Sequence, residues 1–212
     1  MRDAGSVSYS AAIESAASCD TDEFLSEFAQ RVEREAHRRG FDRARRRAVL
    51  GDGAVWIWNL ASELFPGAIQ IVDRFHAKEH LSAVGKAIWG ATSDLARQWG
   101  KQRHDELDEG EIDAILQALA THAPFNDEAC KCVGYIENNR SRMRYPEFRA
   151  MGLCTSTGVV EAGCAVAIGV RLKRPGMLWT MRGANAIISL RCAILSGRFQ
   201  DFWDRRLSAR AG

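Results

Sequence analysis

The chain has 212 residues, 46% of them hydrophobic and 26% charged, with a formal net charge of +2. That balance suits a folded domain, alone or with an insertion, and excludes disordered and fibrous classes. No apolar run approaches the ~20 residues that span a bilayer, and the opening MRDAGSVSYS lacks a signal-peptide core, so a cytoplasmic protein is expected.

In chain order, SVSYSAAIE alternates weakly, as a short strand would. Asp20 and Glu23 stand as a capping box before a helix that runs to about Arg39, with Phe24, Leu25, Phe28, Val32 and Ala36 on one face and Gly40 as its stop. The basic run Arg43 to Arg47 leads into Ala48-Val49-Leu50, a short apolar run that reads as a buried strand. Asp52 follows between two glycines, which permit a tight turn and leave its carboxylate uncrowded. Residues 54–65 have helical spacing, with Val55, Trp58, Ala61 and Phe65 on one side. Pro66-Gly67 ends that helix, and 68–72 reads as a second strand, parallel to the first. Asp73 and His76 come where this strand runs out, and in open α/β sheets ligands gather beyond the carboxyl ends of strands.

Residues 77–150 lose all strand signal and read as helices over 77–103, 111–122 and 126–143. Thr155, Ser156 and Thr157 offer caps for a further helix with Val159, Val160, Cys164 and Ile168 on its apolar side and Glu161 in its first turn. Pro175-Gly176 breaks it. A last apolar helix spans about 183–196, and Phe199, Phe202 and Trp203 are expected to fold the tail onto the core. Six cysteines occur without any C-x-x-C pair, and buried thiols are expected in place of a disulfide framework.

Charge is unevenly spread. Residues 140–212 carry 13 Lys or Arg against 4 Asp or Glu, a balance of +9, whereas 1–139 carry 16 against 23, a balance of −7. A basic C-terminal third suits a phosphate backbone or, equally, a plain solvated face. Arg171, Lys173, Arg174 and Arg182 flank Met177-Leu178-Trp179. Cations interleaved with an aromatic can pair phosphates and stack on an unpaired base. The alternative is a core Trp179 with cations solvating a helix end.

Two stretches resemble a known family. GDGAVWIWNLASELFPGAIQIVDRFHAKEHL and TGVVEAGCAVAIGVRLKRPGMLWTMRGANAIISLRCAILSGRFQDFW are similar to the transposases of ISKra-type bacterial insertion sequences, relatives of the Mutator-like transposases. The resemblance covers nearly the whole chain. It implies an RNase H-like domain whose three carboxylates hold two Mg²⁺ (or Mn²⁺) ions for DNA cleavage and joining. Asp52 matches the second aspartate and Glu161 the glutamate, as catalytic and metal-binding residues. Asp73 and His76 match a following D-x-x-H signature, with His76 in a supporting or DNA-contacting role. The first aspartate lies on a strand upstream of where this chain begins and has no counterpart here.

The fold class expected is therefore α/β, an incomplete RNase H-like core of mixed sheet and helices with an all-helical insertion. Its divisions are 1–76, first part of the core; 77–150, the insertion; and 151–212, the C-terminal helices of the core. Two-metal phosphoryl transfer needs carboxylates holding ions roughly 3.5–4 Å apart, and Mg²⁺ takes hard oxygen ligands. With two of three carboxylates, the chain alone is expected to be inactive, and its partners are DNA (transposon ends and target) and an intact transposase or itself. A non-catalytic DNA-binding role that modulates transposition is the alternative. A further one is a zinc protease, because His76-Ala-Lys-Glu79-His80 also reads H-x-x-E-H, two histidines on one helix face with Glu79 as base. Glu137 or Glu147 would then be a third ligand, while His80 otherwise reads as an ordinary helix-surface residue. Cys130-Lys-Cys132 has poor metal spacing.

Overall fold

The computed structural model describes residues 7–13 and 26–208. In chain order the elements are α1 Glu27–Arg38, β1 Ala48–Gly51, α2 Val55–Leu64, β2 Ile69–Val72, α3 Arg74–Trp89, α4 Asp94–Glu109, α5 Ile112–Ala120, α6 Asp127–Asn139 and α7 Tyr145–Ala150. After these come α8 Gly158–Cys164, a π-helical turn Ala165–Gly169, α9 Val170–Leu172, α10 Met181–Leu195 and α11 Phe199–Ser208. The chain is mostly helical with one small parallel sheet, an α/β composition. It forms two compact units, 44–157 and the combination of 1–43 with 158–212. No helix among the described residues is long and apolar enough to cross a membrane.

In the unit 44–157, β1 and β2 pair in parallel from Ala48↔Ile69 to Gly51↔Val72. Parallel neighbours need a crossover, and α2 supplies it. The turn after α2 is possible because Gly67 takes φ 77. Ile71 and Val72 are fully buried, and Ala48 and Leu50 pack against the same cluster, which runs on through Trp58, Leu81, Leu107, Ile115 and Phe148. The strand pair and the helices of 77–150 thus share one core. That unit ends at 43/44 and 157/158, whereas the pattern of elements divides the sequence at 76 and 150.

The single helix expected over 77–103 is two helices. Gly90 closes α3 at φ 91, a conformation that disfavours side chains, and Ser93 caps α4 by accepting from Leu95 N at 3.2 Å. The two pack side by side at Gly85, where a Cβ would lie 3.0 Å from the Ala96 carbonyl. Trp89, Trp99 and His122 cluster at the same end, with ring centroids 5.8 and 5.3 Å apart from Trp89.

The other unit has a small core of Ala167, Ile188 and Cys192, backed by Tyr9, Ile168, Leu172 and Leu195. Residues 7–13 form no strand; they lie along α10, with Tyr9 N donating to Ser196 Oγ at 2.9 Å and Ile13 N to Asn185 Oδ1 at 2.7 Å. Their backbone groups find side-chain partners in place of a neighbouring strand. The expected capping box, Asp20 and Glu23, lies outside the described residues; within them α1 is capped by Ser26, whose Oγ accepts from Ala29 N at 3.1 Å. Helix α9 ends at Leu172, ahead of Pro175-Gly176 as expected. The tail does not bury its aromatics as expected. Phe199 and Trp203 stay 37% and 41% exposed and pack edge-on against each other at 6.1 Å, while the Phe202 side chain lies outside the described ones. Among the described cysteines the buried thiols are Cys132 and Cys192, whereas Cys130, Cys154 and Cys164 are exposed; Cys19 lies outside the described residues.

Candidate functional site

Parallel pairing sends the carboxyl ends of β1 and β2 to one edge, where Asp73 N donates to Gly51 O at 2.6 Å. Asp52 stands exposed in the turn beyond β1, and its Oδ1 accepts from Ala54 N at 2.9 Å. Tyr135 of α6 covers this turn, donating its hydroxyl to the Asp52 carbonyl at 2.9 Å. Gly53 is required beneath it, since φ is 106 and a Cβ would fall 2.6 Å from the Tyr135 ring. Asp52 Oδ2 accepts no hydrogen bond among the described residues, so half of the carboxylate faces outward.

Asp73 is the opposite case. It is buried, caps α3 by accepting from His76 N at 2.9 Å, and accepts at Oδ2 from Thr157 N. Burial alone would raise its pKa. The hydrogen bonds from Thr157, His76 and Phe75 outweigh that and hold it below the ordinary aspartate value. Both oxygens are occupied by the chain itself, so the D-x-x-H pattern here is a helix cap that also ties residue 157 back to β2.

His76 and His80 follow on α3, one turn apart, with rings edge-on at 4.9 Å. His80 is half-buried and lies against Tyr135 at 4.2 Å, which corrects its reading as an ordinary surface residue. Its pKa is lowered by burial and by His76, against the pull of Glu128, Glu79 and Asp52. Tyr135 is pushed up by burial and then by the Asp52 carboxylate. Asp52, His76, His80 and Tyr135 therefore form one polar neighbourhood at the strand ends.

The remaining predicted residues lie in the other unit. Glu161 is exposed in the first turn of α8. Arg171, Lys173, Arg174 and Arg182 are all exposed, with the Arg171 guanidinium 6.0 Å from the Trp179 ring and Arg174 Nε donating to Val170 O at 2.7 Å. Trp179 is half-buried, and its Nε1 is enclosed without a hydrogen-bond partner among the described residues. Next to it Leu178 is 99% exposed. Both halves of the motif, cation and aromatic, are thus present on one segment.

The donor set at the strand ends does not by itself fit a two-ion centre. Both Asp73 oxygens already accept from backbone N–H groups, only one Asp52 oxygen does, and among the described residues no three His, Cys, Asp or Glu gather as a metal site. The same holds for zinc. His76 Nδ1 lies 3.5 Å from Glu79 Oε2, and Glu147, one of the proposed third ligands, pairs with Arg144 at 2.7 Å.

Tyr135 is the neighbour that the sequence did not reveal. It lies 83 positions from Asp52, and nothing local to α6 signals that pairing. The one hint is the Gly-Asp-Gly turn, whose second glycine leaves room for something to sit on it.

No protein-family model, no curated protein and no solved structure matches the chain.

Proposed function

We propose that this chain is a transposase-type DNA-binding protein with an RNase H-like arrangement around β1 and β2. In this reading the cations of 171–182 hold the phosphate backbone, and Trp179 offers a stacking surface. Asp52 and Glu161, each exposed in its own unit, correspond to two of the three carboxylates of such an enzyme. The observation that carries the reading is the β1–turn–α2–β2 unit, which leaves an outward-facing carboxylate at the open strand edge, the usual place for chemistry in such sheets. Asp73, committed to backbone donors, does not add to it. Mg²⁺ or Mn²⁺ would enter only with a further carboxylate beside Asp52, so the chain binds DNA and leaves it uncut.

The test is paired. Anisotropy of a labelled duplex is titrated at rising salt, and a supercoiled plasmid is incubated with the chain and Mg²⁺ or Mn²⁺. Binding that weakens steeply with salt, without nicking, supports the proposal. No binding at low salt would sink it. Metal-dependent nicking that disappears in Asp52→Ala would overturn the inactive part and make the chain a complete nuclease.

A further inference from the structure

We infer that a second, arginine-lined cleft, formed between α1 and the C-terminal end of α10 with α11, binds the phosphate backbone of a nucleic acid without reading its sequence. The cleft lies within the unit built from 1–43 and 158–212, has a volume of about 1060 Å³, and shares no residue with the 171–182 segment. It deepens the DNA-binding reading above and rests on it.

The arginines come from both walls. Helical periodicity brings Arg31, Arg34 and Arg38 to one side of α1, with Arg39 at its end, and Arg198 and Arg206 face them. Asp201 lies in the lining and Glu35 beside it, so the arginines of the lining outnumber its acids among the described residues. Glu35 holds Arg198 at 3.0 Å, pairs with Arg38 and accepts from Ser8 Oγ at 2.7 Å. Burial would raise its pKa, but Ser8 and Arg198 more than offset that and keep it ionised. It therefore fixes two guanidinium groups in place before any ligand arrives.

Size and shape select the ligand class. The volume sits at the upper limit of small-molecule pockets, roughly 300–1,000 Å³, and the charge is a row in place of a single point. From Arg31 to Arg38 the helix rises about 10 Å at 1.5 Å per residue, which matches about three phosphates at 3.4 Å of axial rise per strand. Guanidinium forks suit phosphate oxygens. Among the described residues the lining includes serines and Tyr9 but no Leu, Ile, Phe or Trp, a composition that favours a phosphate backbone over a bilayer.

The test uses the full chain and a short labelled DNA, as duplex and as single strand. The slope of log affinity against log salt is compared among the wild type, a triple Arg31→Gln, Arg34→Gln, Arg38→Gln variant, the matching triple Lys variant, and an Arg171→Gln, Lys173→Gln, Arg174→Gln control. The Gln triple is expected to flatten the slope by about 2.7 on duplex or about 2 on single strand, to weaken binding at least tenfold, and to regain the slope with lysines. A Gln triple that keeps the wild-type slope, while the 171–174 variant loses its own, overturns the cleft and leaves the DNA reading standing. A wild type that binds no DNA overturns both. If circular dichroism shows the triple to be unfolded, exposed Arg34→Gln alone decides, with a loss of about 0.9 on duplex expected and an unchanged slope refuting.

Discussion

Asp73 offers the sharpest test of how the strand edge is held. Replacing it with alanine removes the α3 cap, which is about 1 kcal/mol, and the charge-assisted bond to Thr157 N, about 1.5–3 kcal/mol. The sum is about 3 kcal/mol, a large share of the roughly 5–15 kcal/mol that domains possess. Asparagine separates the two parts. Its carbonyl keeps the cap, but its NH₂ faces the Thr157 N–H, so Asp73→Asn should recover only about 1 kcal/mol. In urea, followed by tryptophan fluorescence, a slope of ~2 kcal/mol per M turns the alanine loss into a midpoint drop of about 1.5 M. The acid limb should change as well. Because the Asp73 pKa is held below its ordinary value of 3.8, its contribution is present above that pH and lost as pH falls through the folded-state value. An alanine variant within about 0.5 kcal/mol of the wild type, or an asparagine variant as damaged as the alanine one, would refute this account.

Gly53→Ala should cost about 1–3 kcal/mol from φ strain alone, and a double variant with Tyr135→Ala should recover the steric part but not the strain; full recovery in a mutant cycle would show that φ 106 is not needed. His80 and His104 are both held below the ordinary 6.5, chiefly by burial. The unfolded chain therefore takes up protons first, so stability is full above about pH 6.5 and declines below it. A urea midpoint unchanged between about pH 7.5 and about pH 5 would contradict this, and His80→Gln should soften the decline. In a native thiol-labelling experiment read by peptide mass, exposed Cys130, Cys154 and Cys164 should react quickly. Cys132, buried and pushed up to about 12, should react only on unfolding. Prompt labelling of Cys132 would mean that the core around Ile136 opens far more often than its packing implies.

Local grammar carried the strand edge well. Apolar runs bounded by Gly51 and by Pro66-Gly67 made β1, α2 and β2 legible to within a residue or two, since each signal lies inside the element it marks. The α3–α4 break was missed although its markers were present. Gly90 and Ser93 are a stop and a cap, but apolar spacing continues across them and outweighed two weak cues. Asp73 has a physical role of its own, an N-cap three residues before the His76 amide, which is the ordinary reason for aspartate there. What could not be read were pairings at a distance. Tyr135 meets Asp52 across 83 positions and Thr157 meets Asp73 across 84. Charge was misleading for a related reason. The acidic average of 1–139 conceals the arginine side of α1, which only folding brings opposite Arg198 and Arg206.

The π turn between α8 and α9 sets the register of the whole motif. Its carbonyls at Val166 and Ala167 accept from the Arg191 guanidinium, with the Nε bond to Ala167 at 2.9 Å. A turn closed from i to i+5 takes one residue more than an α turn, and each residue is about 100° of rotation. Arg171 is therefore swung by about that angle, relative to Glu161, from where an uninterrupted helix would aim it, whereas Arg174 lies beyond the end of α9. Deleting one residue from 165–169 would straighten the helix and deprive Arg191 of the widened carbonyls. It would also change the bearing of Arg171 relative to Glu161 without removing either side chain. Aim, as distinct from composition, is a separately mutable property of this segment.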